Sequence, residues 1–159
     1  MRNATADLSD DYGEQLRVAA PLFTDYGGTV VFEGRISTVK TYEDNSLVRA
    51  ALEEHGDGRV LVVDGGGSMH CALVGDKLAD LGRRNGWSGI VVYGCIRDAA
   101  PISRIAVGVK AIGTNPRKST KKGEGQRDIP VRFAEMEFRC GDYLYADQDG
   151  VLVADEKLA

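Results

Sequence analysis

Residues 73–101 read LVGDKLADLGRRNGWSGIVVYGCIRDAAP, and this stretch decides the fold. Its first half carries a helical pattern, roughly Asp76 to Asn85, stopped by Gly86. Its second half, GIVVYG, is a hydrophobic strand. Upstream, EDNSLVRAALEEHG predicts a helix that Asp44, Asn45 or Ser46 can cap. Leu47, Ala50, Ala51 and Leu52 would line its inner face and Gly56 would end it. RVLVVDGGG, between the two helices, predicts a buried strand that opens into a glycine turn. The middle of the chain therefore alternates strand and helix.

The flanks complete the pattern. TADLSDDYGEQLRVA predicts an N-terminal helix capped at Thr5 or Ser9. TVVFEGRISTVKTY predicts one long strand or two short ones, with Gly34 at a bulge or bend. A short helix is expected from Ala99 to Ile105 with Pro101 in its first turn, then the strand VGVKAIGTN. PRKSTKKGEGQRD reads as a polar, basic, solvated and mobile loop. VRFAEMEFRCGDYLYADQDGVLVADE reads as short strands broken at Gly141-Asp142 and Asp149-Gly150. The order predicts an α/β fold with a mixed, partly curled central sheet. A length of 159 residues suits one domain spanning the chain.

Composition narrows the function classes. The chain is 43% hydrophobic and 28% charged, which is ordinary for a globular protein. Its longest apolar runs are too short to span a bilayer, and the N-terminus lacks the apolar core of a secretory signal, so a cytoplasmic location is expected. A net charge of −4 offers no bulk attraction for nucleic acid. Cys71, Cys95 and Cys140 are odd in number and lack zinc-knuckle spacing, so they read as reduced thiols.

Several motifs carry chemistry in principle. VVDGGGSMH lacks both G-x-G-x-x-G and G-K-[ST], which leaves a tight turn or a bare backbone floor beside a small ligand. His70 and Cys71 are neighbours on extended chain and point to opposite faces, which disfavours a thiol–imidazole pair, though His70 alone can line a site. A Schiff base at Lys77, Lys110 or a loop lysine needs a desolvated amine, which nothing in the sequence indicates. The loop bases Arg117, Lys118, Lys121, Lys122 and Arg127 have no interleaved aromatics for base stacking.

The ends of the opening stretch are different. Gly75-Asp76 falls at a helix start, where free amides and the helix dipole favour a carboxylate. Arg97 falls at the carboxyl end of the next strand, where α/β sheets place ligands, and its guanidinium can hold a keto acid in two contacts. Asp98 is a hard oxygen donor suited to Mg²⁺ or Mn²⁺. A capping aspartate and a surface Arg-Asp pair would show the same spacing, and spacing alone leaves both readings open.

Nearly the whole chain resembles the family of the regulator of ribonuclease activity A, which groups with metal-dependent 4-hydroxy-4-methyl-2-oxoglutarate aldolases. The resemblance rests on PLFTDYGG, ISTVKTYEDNSLVRAALEE, RVLVVDGGGS, ALVGDKLA, GIVVYGCIRD, GTNPRKSTKKGEG and GDYLYADQDGVLV. Asp76, Arg97 and Asp98 match the family's aspartate–arginine–aspartate signature. The resemblance implies a layered β/β/α swivelling-type domain assembled as a homotrimer. It implies that Gly75, Asp76, Lys77 and Leu78 bind the pyruvyl part of a keto-acid substrate through their backbone. Arg97 would hold the substrate's carboxylate or keto oxygen, Asp98 would ligate Mg²⁺ or Mn²⁺, and Asp76 would orient a water on that ion. Retro-aldol cleavage and oxaloacetate decarboxylation are the implied reactions. The alternative that the resemblance carries is a regulator that binds and inhibits endoribonuclease E or an associated RNA helicase. Longer aldolase members bring a further acidic residue on a C-terminal arm, beyond the point matched by VLVADEKLA here. Some members carry a menaquinone methyltransferase label, for which no glycine-rich methyl-donor loop is evident in this sequence.

Overall fold

The computed structural model describes residues 4–158. In chain order the elements are α1 (Thr5–Tyr12), a 3-10 turn (Gly13–Gln15), β1 (Arg17–Val18), β2 (Thr24–Asp25), β3 (Phe32–Lys40), α2 (Ser46–Glu53), β4 (Val60–Asp64), β5 (Ala72–Val74), α3 (Asp76–Arg84), β6 (Gly89–Ile96), α4 (Ala99–Ile102), β7 (Gly108–Thr114), β8 (Gln126–Arg127), β9 (Val131–Phe133), β10 (Met136–Phe138), β11 (Tyr143–Asp147) and β12 (Gly150–Ala154). The predicted β-α-β middle is present as β4, α3 and β6.

The main sheet is open and mixed, in the order β1-β12-β11-β3-β4-β6-β7-β2, with β5 added beside β6 and β8 beside β3. β3, β4, β6 and β7 run parallel. The two central strands, β4 and β6, are apolar almost without interruption because both their faces are covered. Leu61, Val63, Ile90, Val92, Val109 and Ala111 face α2 and α3, packing with Val48, Leu52 and Leu78. The alternate residues Val60, Val62 and Val91 face a second β layer that includes Phe133, Phe138, Leu144 and Val153. The result is three layers: helices, parallel sheet, and a second β layer.

The curl comes from β3. Residues 32–35 pair antiparallel with β11, and residues 36–40 pair parallel with β4. Gly34 lies at this exchange of partners, where a Cβ would collide with the Gly58 carbonyl. The strand is continuous, so the expected bulge or break is a change of neighbour.

Three local expectations are corrected. The inner face of α2 is Val48, Ala51 and Leu52, while Ala50 is exposed and the helix stops at Glu53. Thr5 does not cap α1 but is its first residue, and its amide and hydroxyl donate to Asp147 at 2.8 and 2.6 Å. Lys110 is not solvated. It is 2% exposed, donates to the Asp147 carbonyl at 2.8 Å and lies 3.0 Å from the Asp25 carboxylate.

Burial alone would raise the Asp147 pKa, but the Thr5 hydroxyl and amide and the amides of Asp149 and Gly150 outweigh it and hold the carboxyl below its ordinary value. Its stabilising contribution is therefore complete above the unfolded pKa of about 3.9 and is lost as pH falls through the lower folded value. Asp147→Asn is expected to cost about 1–3 kcal/mol at pH 7. In thermal melts across pH, the gap between wild type and variant should narrow below about pH 4.

Candidate functional site

The carboxyl ends of β5 and β6 open into a cleft of about 730 Å³. Gly75 is extended (φ −116°, ψ −172°), and α3 starts at the next residue. The first intrahelical bond runs from the Ala79 amide to the Gly75 carbonyl, at 3.0 Å. The amides of Lys77 and Leu78 therefore have no i−4 acceptor, and both residues line the cleft.

Arg97 extends the β6 pairing, its amide donating to the Val74 carbonyl at 2.9 Å. Its Nη1 reaches the Pro116 carbonyl at 3.4 Å. Asp98 then takes a left-handed conformation (φ 58°, ψ 42°) before α4 begins. That turn is uncommon for a residue with a side chain and is a form of backbone strain seen at functional sites. It aims the carboxylate back at α3, where Oδ2 accepts the Asp76 amide at 3.1 Å. The expected residues Gly75, Asp76, Lys77, Leu78, Arg97 and Asp98 thus all line one cleft.

The opposite wall was not expected. It comes from α2's start, at Asn45, Ser46 and Arg49, and from Lys118, Ser119 and Lys121. The basic segment expected to be a free loop is stitched down. The Ala72 amide donates to the Arg117 carbonyl at 2.8 Å, the Thr120 amide to the Glu43 carbonyl at 2.9 Å, and the Lys122 amide to Asp44 Oδ2 at 2.6 Å. These bonds join residues far apart in sequence, so no local signal announces them.

The cleft lining holds five basic side chains (Arg49, Lys77, Arg97, Lys118, Lys121) and two acidic ones (Asp76, Asp98). The whole chain carries −4, so the cleft is a cationic spot on an acidic protein. Two helices, α2 and α3, also bring their amino ends to it. Such a site favours an anion.

The other motifs stay outside. His70 is exposed, and its Nδ1 lies 2.9 Å from Glu43, beside a separate hollow with Met69 and Asn115. Burial pushes the Cys71 and Cys95 thiols above their ordinary range, which suits packing rather than nucleophilic attack. Gly66 and Gly67 have φ of 68° and 73° and form a turn in which the Gly66 amide donates to Asp64. Lys110 lies away from the cleft lining.

Among the described residues no three His, Cys, Asp or Glu side chains cluster to hold a metal. Asp98 with Asp76 nearby is a sparse, all-oxygen donor set. It fits Mg²⁺ or Mn²⁺, which keep waters and accept substrate oxygens, better than a metal requiring a protein cage.

A three-layer α/β fold with an anion-binding cleft at the carboxyl ends of its parallel strands is the class these features define. The chain belongs to the RraA-like family (Aldolase/RraA), whose model matches residues 5–153. A provisionally named 4-hydroxy-4-methyl-2-oxoglutarate aldolase from Alkalilimnicola ehrlichii is 58% identical over 154 residues, covering 97% of this chain and 96% of that protein. A crystal structure from Geobacillus kaustophilus, described as an S-adenosylmethionine:2-dimethylmenaquinone methyltransferase, superposes with a TM-score of 0.96 at 48% identity over 98% of this chain and 96% of that one. The RNA-processing inhibitor RraA from Thermus thermophilus superposes equally well, with a TM-score of 0.96 at 42% identity over 100% and 96% of the two chains. Among the described residues no helix is long and apolar enough to cross a membrane.

Proposed function

We infer that this chain is a divalent-metal-dependent lyase of 2-oxo acids that cleaves 4-hydroxy-4-methyl-2-oxoglutarate to pyruvate and decarboxylates oxaloacetate, working as a cytoplasmic homotrimer. The observation that carries this reading is the meeting of Arg97, Asp98 and the open amino end of α3 in one cationic cleft. The names of the aldolase relatives agree with it.

Both reactions break the bond between the α- and β-carbons of a keto group and leave a pyruvate enolate. The Lys77 and Leu78 amides hold the substrate's carboxylate, and the Arg97 guanidinium holds a carboxylate or keto oxygen in a two-pronged contact. Arg97 then faces negative charge as it grows on the enolate oxygen, where a fixed cation counts most. Asp98 would carry the divalent cation, with Asp76 beside it, and that ion would supply Lewis acidity to the same oxygen. Asp76, which lines the cleft, would orient a water that takes the proton from the C4 hydroxyl in the retro-aldol reaction and returns one to the enolate carbon.

The test is pyruvate release from oxaloacetate and from 4-hydroxy-4-methyl-2-oxoglutarate with Mg²⁺. A rate that chelator abolishes and Mg²⁺ restores is expected. The absence of pyruvate from either substrate would overturn the reading. Gly75→Ala probes the geometry directly. The backbone there suits alanine, but a Cβ would lie 2.9 Å from Asp98 Oδ2 and must push that carboxylate aside. Turnover is expected to fall about tenfold, the weight of one misplaced charged contact, while thermal stability changes little.

A second reading rests on the close superposition with the RNA-processing inhibitor. The chain would bind endoribonuclease E, or an associated RNA helicase, through its outer surface and restrain RNA cleavage. Calorimetric titration against endoribonuclease E at physiological salt tests it, and the Arg97→Ala variant should bind as wild type does. The two readings use different surfaces.

A further inference from the structure

A three-carbon oxo acid held by Arg97 and the α3 amides fills only part of a 730 Å³ cleft. The remaining wall is cationic. Lys118 makes no hydrogen bond or ion pair among the described residues, and Lys121 Nζ donates to the neutral Asn45 Oδ1 at 3.2 Å. Arg49 in the same wall already faces Glu53 at 3.4 Å. Two ammonium groups without a carboxylate partner thus border the space beyond the pyruvyl position.

This wall is built rather than incidental. Asp44 is 0% exposed, and its carboxylate accepts the Ser46 amide at 2.9 Å and the Lys122 amide at 2.6 Å. Burial would raise its pKa, yet these amides with that of Glu124 outweigh it, so the group stays ionised. One residue earlier, the left-handed Glu43 (φ 57°) presents a carbonyl that accepts both the amide and the hydroxyl of Thr120, each at 2.9 Å. Residues 43 and 44 therefore grip the lysine-bearing segment on both sides of Lys121. A merely solvated loop has no use for a fully buried carboxylate holding its backbone.

We propose that Lys118 and Lys121 bind the carboxylate at the far end of a dicarboxylic 2-oxo acid, and that Asp44 is the positioning residue that holds them there. This rests on the lyase reading, in which the other end of the cleft holds the pyruvyl group. It makes the basic segment the part of the site that selects dicarboxylic over monocarboxylic substrates. In the retro-aldol reaction this far carboxylate leaves on the second product, so gripping it orients the bond to be broken without opposing the cleavage. In oxaloacetate the far carboxylate itself departs as CO₂, so the grip serves the retro-aldol substrate and not decarboxylation.

The experiment is calorimetric titration with Mg²⁺ present, using pyruvate and 2-oxoglutarate as probes. Wild type is expected to bind 2-oxoglutarate about tenfold more tightly, the sum of two partly solvated charge contacts. Lys118→Ala with Lys121→Ala should erase that preference and leave pyruvate affinity within about twofold. Both lysines are exposed, so this variant is expected to fold. Asp44→Asn should produce the same selective loss, which a general loosening of the fold would not, since pyruvate binding would then fall as well. A preference for 2-oxoglutarate that survives the double lysine substitution overturns the proposal, as does a wild type that binds pyruvate but shows no preference. A wild type that binds neither probe overturns the lyase reading, and this inference with it.

Discussion

Arg97→Ala is expected, on the proposed lyase function, to lower kcat/KM for oxaloacetate by about 10²–10³-fold, the effect of removing one fixed donor that would face a developing oxyanion. The side chain contributes little to the fold. Among the described residues its side chain makes one hydrogen bond, the 3.4 Å contact to the Pro116 carbonyl, and its position just past β6 is secured by the backbone bond to Val74. The melting temperature should therefore stay close to wild type, and Mg²⁺ binding, which the proposed mechanism gives to Asp98, should persist in calorimetry. Arg97→Lys keeps the charge but loses the planar two-pronged contact, so an intermediate rate is expected. The ratio of the two variants separates charge from geometry. An alanine variant within twofold of wild type would remove Arg97 from the chemistry.

The two halves of the cleft differ in how far the sequence reveals them. Asp76 and Asp98 are visible because helix starts and strand ends are local signals. Gly75 precedes an amphipathic run, and Arg97 closes an unbroken apolar strand. The lysine wall is hidden because its place depends on pairings with Ala72, Glu43 and Asp44, tens of residues away. Lys110 is hidden for the same reason. A lysine in VGVKAIGTN looks solvated until the Asp147 carbonyl and the Asp25 carboxylate arrive from distant strands. The centre of the parallel sheet is legible in the continuous hydrophobic runs of β4 and β6. The second β layer is implied only by the family resemblance and not by local pattern, since one strand, β3, serves both layers, and a change of partner at Gly34 leaves only a glycine as its mark. The inner face of α2 was misplaced because Ala50 and Ala51 are equivalent in hydropathy, and only packing chooses between them.

Phe32→Ala is expected to cost about 3–5 kcal/mol, which for a chain of this size lowers the melting temperature by roughly 6–20 °C. Phe32 opens β3, is 6% exposed, and joins the core between the parallel sheet and the second β layer. Its ring lies over Gly89 and Gly108, which are register partners at the starts of β6 and β7. A Cβ on either glycine would collide with the ring, so the aromatic and the two glycines fit as one unit. Neither glycine has a positive φ, which means packing rather than backbone conformation excludes alanine there. Gly108→Ala alone should therefore destabilise by about 1–3 kcal/mol through overpacking. In the Phe32→Ala background the added methyl group enters the space the ring vacated, and the same change should be neutral or stabilising. A double-mutant cycle by denaturant unfolding reads this coupling directly. Additive costs would mean the ring and the glycines do not share one space. The unit sits at the amino ends of the strands, while Arg97 and Asp98 follow the carboxyl end of β6. Folded Phe32→Ala protein should consequently keep wild-type turnover at low temperature, so that its loss of activity on warming tracks unfolding alone.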